Sequence, residues 1–287
     1  MPRQAGPERG EGMKVSIIVP VYYGRKYIKD IIGMAERNAA RIDGAVELVF
    51  VNDSPEKPID DICNSSRIGI VVVNNPKNCG IHYSRIRGLE HSHGEYILML
   101  DQDDRISDRY FFSQLAGIGD ADMIVANGCE ESVQGKRILY RYGLMHWTVK
   151  HHIFYTVFGS RILSPGQCLM YRGSIPAEWS ETVIKSNGAD DYLLWIYMLQ
   201  KRRKIRLNRE MLYVHRYTGE NASGRKEQMN DSLIEVLDTA RKKHALGYPS
   251  YHYIRNSAEG KQTVFRKIAR GIVKIGNEIN RKPFRSN

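Results

Sequence analysis

The chain predicts an α/β fold, with a mostly parallel central sheet and helices on both faces. Three observations carry that expectation. Short, near-continuous apolar runs rich in Val and Ile recur through the first hundred positions, and such runs mark strands buried on both faces. Segments of helical period stand between them, and strict strand–helix alternation means a parallel sheet with right-handed crossovers. One run ends in three closely spaced carboxylates, Asp101, Asp103 and Asp104. A strand delivers its last residues to the carboxyl edge of the sheet, where open α/β sheets bind ligands.

The elements follow in order. Residues 14–21 (KVSIIVPV) read as a first strand, with Pro20 ending the regular ladder. Tyr22 to Arg25 make a turn, and residues 26–38 carry a helical pattern through Tyr27, Ile28, Ile31, Ile32 and Ala35. Residues 46–51 (VELVFV) are a second strand, closed by the polar turn Asn52, Asp53, Ser54, Pro55. A short helical stretch is expected at 59–65, a third strand at 68–73 and a helix at 81–91. Gly94 then leads into the strand at 96–100 and its acids.

Further on, 122–126 reads as a short strand and 127–136 as a polar stretch. Residues 138–158 are rich in aromatics and histidine. His151 and His152 are adjacent, but neighbours on a helix or strand diverge, so a shared metal is disfavoured. An aromatic ligand-covering surface or plain core packing suits the segment better. Residues 164–172 read as turn then strand, and 188–195 as two acids opening an amphipathic helix. The basic run 201–206 leads into a strand through Val214, and 232–245 is helical by period. Residues 263–279 form a basic amphipathic pattern, with Val264, Ile268, Ile272 and Ile275 on one face. That pattern suits packing on the domain or lying on anionic lipid.

Composition narrows the class. The chain has 287 residues and a formal net charge of +11. This is enough for one large α/β domain with a tail, and its charge suits an anionic partner. No apolar run approaches the length of a membrane span. Residues 1–12 are rich in Gly, Pro and charge and lack a signal peptide's apolar region; they are expected to be a disordered extension. Four scattered cysteines without a C-x-x-C pair read as reduced thiols of a cytoplasmic protein. No G-x-G-x-x-G or G-x-x-x-x-G-K-[ST] follows a strand, so phosphate is expected to meet a metal and basic side chains. Three crowded carboxylates need a cation between them, and oxygen ligands suit Mg2+ or Mn2+. The plain alternative is a polar turn whose Asp caps the next helix.

Four motifs in order resemble one family. VSIIVPVY at 15–22, VNDS at 51–54, NCG at 78–80 with Arg85, and LDQDD at 100–104 are similar to the nucleotide-sugar half of family-2 glycosyltransferases of GT-A fold. The resemblance spans about residues 13–220. It implies a glycosyltransferase domain at 13–225, with a nucleotide-binding half (13–105) and an acceptor half (106–225), and a basic helical extension at 226–287. It implies donor contacts at Pro20, Tyr22, Asp53, Arg85, Asp101 and Asp103, with Asp53 on base or ribose and Arg85 on base or phosphate. It implies a Mn2+ or Mg2+ ion on Asp103 and Asp104, with His215 a further candidate ligand. His215 and Arg216 stand near the family's Tyr-Arg-x-His-like segment, which closes over the diphosphate. The family's Glu-Asp-Tyr-Asp-Leu-Trp motif is matched by DDYLLW at 190–195, which makes Asp191 the general base. Two departures stand out: Ser84-Arg85-Ile86 replaces Ala-Arg-Asn, and Asp190 replaces Glu.

The expected reaction is inverting transfer from a nucleotide diphosphate sugar, UDP-sugar favoured. The acceptor is a hydroxyl of a glycan or lipid-linked molecule, in cell-surface polysaccharide synthesis. The expected place is the cytoplasm, with peripheral contact at the inner face of the membrane. Two readings compete. A sugar-phosphate nucleotidyltransferase would show a Gly-rich basic loop after the first strand, where this chain has Pro20-Val21-Tyr22-Tyr23. A basic nucleic-acid-binding protein would leave the acids at strand ends unexplained.

Overall fold

A computed structural model of the chain describes residues 13–219 and 226–259. The basic pattern at 263–279 and the extension at 1–12 lie outside the described residues. Among the described residues, nine strands form one sheet: β1 (Met13–Val21), β2 (Ala45–Asn52), β3 (Gly69–Asn74), β4 (Tyr96–Met99), β5 (Arg105–Ile106), β6 (Met123–Ser132), β7 (Gly135–Ile138), β8 (Cys168–Tyr171) and β9 (Ile205–Arg216). The helices are α1 (Ile28–Ala39), α2 (Ile81–Glu90), α3 (Tyr110–Ile118), α4 (Gly143–Trp147), α5 (His152–Phe158), α6 (Ala177–Glu181), α7 (Asp190–Gln200), α8 (Lys226–Lys242) and α9 (Tyr248–Ala258).

The strand order is β3-β2-β1-β4-β8-β6-β9-β5, with β7 hanging from β6. The first four strands are parallel. From β1 the chain winds outward through β2 and β3, then returns to the other side of β1 as β4. At such a reversal the carboxyl ends of the two central strands part and open a crevice. The second half adds antiparallel pairs, β4 with β8 and β8 with β6, so β6 runs in the same sense as β4. Strand β9 lies parallel to β6, and its end therefore reaches the same edge as the ends of β1 and β4.

Side chains alternate across the strands, as the pleat requires. Val15, Ile17, Val19, Leu48, Phe50 and Leu98 face a core shared with α1 and α3. Ile18, Val49, Val51, Ile97 and Met99 face a second core, which is larger and includes Leu193, Trp195 and Ile196 of α7. Val236, Leu237 and Ala240 of α8 and Ile254 of α9 belong to that second core, so these two helices are built into the domain.

Two expectations are corrected. The 59–65 stretch is only a 3-10 turn at Asp60–Ile62, anchored by buried Ile59 with Ile62 and Cys63 partly buried beside it. Strand β6 runs on to Ser132, through residues that read as a polar stretch. Its polarity is that of an edge hairpin: Glu130 pairs with Arg137 and Glu131 with Lys136 directly across from β7, and opposite charges in register support a ladder.

Candidate active site

The crevice at the ends of β1, β2 and β4 is assembled by buried side-chain hydrogen bonds. Asp53 follows β2 and is 4 % exposed. Its Oδ1 accepts from Asn75 Nδ2 (2.7 Å) and from the Cys79 N–H (2.7 Å), and its Oδ2 from the Gly80 N–H (2.9 Å). The carboxylate thus shapes the 78–80 loop in addition to any contact with a ligand. Gly80 has φ +90°, which a side chain rarely tolerates. It opens α2, whose first N–H, at Ile81, donates to Asn187 Oδ1 at 3.0 Å. Asn187 lies in the loop that precedes α7, so the nucleotide-side helix is capped from the other half of the chain.

Tyr22 is half exposed at the end of β1. Its backbone N–H donates to Gln102 Oε1 and its carbonyl accepts from Gln102 Nε2, both at 3.0 Å. The amide of Gln102 therefore ties the β1 turn to the acid cluster. Pro20 is buried and sits in register with Val51.

The acids take three different surroundings. Asp101 is partly buried; its Oδ1 receives Arg85 Nη2 at 2.5 Å and its Oδ2 the Ser164 hydroxyl at 3.1 Å. Asp104 is 2 % exposed and turned into the protein. It accepts from the Tyr213 hydroxyl, from the Arg216 N–H at 3.1 Å, and meets His215 Nδ1 at 3.0 Å. Asp103 is only half-buried. Burial and the neighbouring Asp104 and Asp101 charges push its carboxyl up to about 6.

Arg85, expected on base or phosphate, is 3 % exposed and committed elsewhere. Its Nη1 donates to Asp190 Oδ2 at 2.6 Å while Nη2 holds Asp101. Arg85 thus bridges two carboxylates within the protein. Asp190, at 2 % exposure, is locked by that bridge, and its backbone carbonyl accepts Trp179 Nε1 at 3.1 Å. Asp191 is half-buried, with Oδ1 accepting the Tyr192 N–H at 2.7 Å. Burial first, then the adjacent Asp190 charge, pushes its carboxyl up to about 8.

Asp104 anchors His215 and Tyr213. The remaining donors fit a hard divalent ion. Such an ion is commonly held by one or two protein groups, with water and substrate phosphate filling the other positions. Asp103 and His215 lie near enough to influence each other's proton. A carboxylate behind a ligating imidazole, as Asp104 is behind His215, is the usual arrangement that fixes its ring. Among the described residues no group of three or more His, Cys, Asp or Glu forms a self-sufficient cage. His151, meanwhile, stacks against Trp147 with ring centroids 3.7 Å apart.

Sequence reasoning missed Ser164, Asn187, Gln102 and Tyr213. Gln102 lies inside the 100–104 motif and Tyr213 two residues before His215 on the same strand face, so both carried a local signal. Ser164 and Asn187 act across distances that no local pattern encodes.

The model of glycosyl transferase family 2 matches residues 16–175, more than half of the chain. The chain belongs to glycosyl transferase family 2. The match stops short of α7, so the role of Asp190 and Asp191 rests on their geometry. The glycosyltransferase GlyA of Streptococcus pneumoniae is 31 % identical over 103 residues, covering 34 % of this chain and 14 % of that protein. The uncharacterized glycosyltransferase YwdF of Bacillus subtilis is 23 % identical over 82 % of this chain and 85 % of its own. Staphylococcus aureus TarS residues 1–349, solved with UDP-GlcNAc, superposes with a TM-score of 0.60 at 18 % identity, over 79 % of this chain and 66 % of that one. The mannosyltransferase PcManGT of Pyrobaculum calidifontis, solved with GDP-Man and Mn2+, gives 0.59 at 13 % identity, over 97 % and 84 %. The chain spans 14 % of GlyA and slightly under two thirds of the TarS 1–349 fragment. At these identities the superpositions speak for the fold, which is GT-A. No helix among the described residues is long and apolar enough to cross a membrane.

Proposed function

We propose that this family-2 member transfers a sugar from a nucleotide diphosphate donor, UDP-sugar favoured, to a hydroxyl acceptor with inversion. The observation that carries the reading is the Arg85 bridge. One guanidinium ties Asp101, at the end of β4, to Asp190, at the start of α7. It thereby sets the half-buried, proton-retaining Asp191 beside the donor acids.

Asp191 takes the proton of the acceptor hydroxyl as its oxygen bonds the anomeric carbon, and the bond to the β-phosphate oxygen breaks in the same displacement. A carboxyl held up to about 8 is a stronger base than an ordinary aspartate once deprotonated. Asp103 and His215 would hold a divalent ion, which would supply Lewis-acid stabilisation of the diphosphate leaving group. Tyr22 and the loop shaped by Asp53 receive the nucleoside. UDP is favoured because TarS is solved with UDP-GlcNAc, and Mn2+ because PcManGT is solved with it. A glycan or lipid-linked acceptor of cell-surface polysaccharide synthesis is the reading for the second substrate, with peripheral contact at the inner membrane face.

A panel of UDP- and GDP-sugars incubated with the chain, with and without EDTA, tests this. UDP-sugar turnover that requires Mn2+ or Mg2+ is the expected result. Failure on every nucleotide sugar, together with joining of a sugar phosphate to a nucleoside triphosphate, would sink it.

A further inference from the structure

Away from the crevice, a groove of about 730 Å³ runs between α4, the end of α3 and β9. Its walls combine Leu144, Trp147 and Leu207 with Lys150, Arg206 and Arg209, and none of its lining residues is acidic. Leu144 is 73 % exposed and Trp147 44 %, and Lys150 and Arg209 stand in solvent. Arg206 shares Asp120, but Lys150 and Arg209 have no acid within ion-pair reach among the described residues. On the helix that follows, Ile153 is 65 % exposed.

An exposed apolar patch rimmed by cations marks an interaction surface. Charge complementarity requires the cover to be anionic, and Leu144 and Trp147 require it to be apolar just beneath its charged face. Nucleic acid meets the first demand but offers no apolar layer to an aliphatic side chain. The headgroup region of an anionic bilayer meets both, with Trp at the interface and Lys and Arg among the headgroups. We propose that the α4 platform, with Leu144 and Trp147 as the inserting tips and Lys150 and Arg209 as the headgroup contacts, docks the protein on an anionic lipid surface. The docking stands apart from the glycosyl-transfer reading. Its relation to the site is structural: α5 rests on α7, where the Tyr192 hydroxyl donates to the Tyr155 carbonyl at 2.7 Å.

The three tryptophans give the test its local readout. Trp179 and Trp195 are 0 % and 1 % exposed, so a lipid-accessible quencher in the membrane reaches Trp147 alone. The full chain is mixed with phosphatidylcholine vesicles, and with vesicles containing phosphatidylglycerol, each carrying brominated acyl chains. Quenching and a blue shift on the anionic vesicles alone, both absent in Trp147→Phe, are expected. The pair Lys150→Glu and Arg209→Glu should weaken vesicle binding by about tenfold or more, since each cation near the surface contributes severalfold. Nucleotide-sugar hydrolysis in solution should stay as in the parent protein. Co-sedimentation with vesicles without Trp147 quenching means another surface docks and overturns the proposal. So does equal quenching on neutral vesicles, or a dimer in vesicle-free solution that Trp147→Glu abolishes.

Discussion

The guanidinium of Arg85 lies 2.6 Å from the Asp190 carboxylate, and both side chains are almost inaccessible to water. The same guanidinium grips Asp101 at 2.5 Å. Two chain segments about ninety residues apart, each bearing acids, are thereby fixed by one cation. The planar fork of arginine suits this, because it presents separate N–H groups to two acceptors at once.

Arg85→Lys should keep the charge and lose the bridge, since one ammonium is a compact point charge. We expect kcat to fall by at least tenfold with donor KM changed less, measured by steady-state kinetics. Arg85→Ala leaves Asp190 buried without its partner and should cost about 3–5 kcal/mol, read by denaturant unfolding. A fully active, stable Arg85→Ala protein would show that the bridge is dispensable.

Asp191→Asn should lower the transfer rate by about 10²–10⁴, the usual contribution of a general base, while the donor Kd stays near the parent value. The pH profile follows from its raised carboxyl. The base works only when ionised, so kcat/KM for the acceptor should rise with pH through about 8 and flatten above it. The linkage has the opposite sign for stability. The folded protein retains a proton that the unfolded chain has released, so this group makes stability fall with rising pH between its unfolded value and about 8. Asp191→Asn should therefore be the more stable protein at pH 9, by chemical denaturation, relative to the parent.

Asp103 and Asp104 should separate by assay. Asp103→Asn should abolish rescue of EDTA-treated protein by Mn2+ or Mg2+ and leave thermal stability unchanged or higher, because it relieves crowding among three acids. Asp104→Asn should lower Tm, since it breaks contacts with Tyr213, His215 and the Arg216 N–H. In metal-free protein, Asp104 lifts His215 to about 9 against desolvation. That pair's stabilisation is complete below about 6.5, the unfolded value, and is lost as pH rises through about 9. Asp104→Asn should erase that pH dependence of Tm.

Gly80→Ala should be strained twice. Its φ of +90° disfavours any side chain, and a Cβ there would sit 2.7 Å from Asn187 Oδ1. A loss of about 1–3 kcal/mol is expected, by denaturant unfolding. Activity should fall with it, because the displaced Asn187 loop leads into Asp190 and Asp191.

The first four strands, their parallel order and the placing of acids at their ends were determined by the sequence alone. A strand buried on both faces must be apolar at nearly every position, so Val15 to Val21 or Val46 to Val51 can be little else. Delivery of Asp53 and Asp101 to the carboxyl edge then follows from chain direction. Only the tertiary structure decided what each charged group does there. Asp103 and Asp104 are neighbours with the same chemistry, and one is half-buried while the other is enclosed because β9 brings Tyr213 and His215 against it. Arg85 meets Asp190 of α7 across a separation of 105 residues, a pairing that no local pattern announces. Local periodicity records which face of an element is apolar. It holds no record of which buried polar group will meet which, since that pairing is set by how distant elements pack around the crevice.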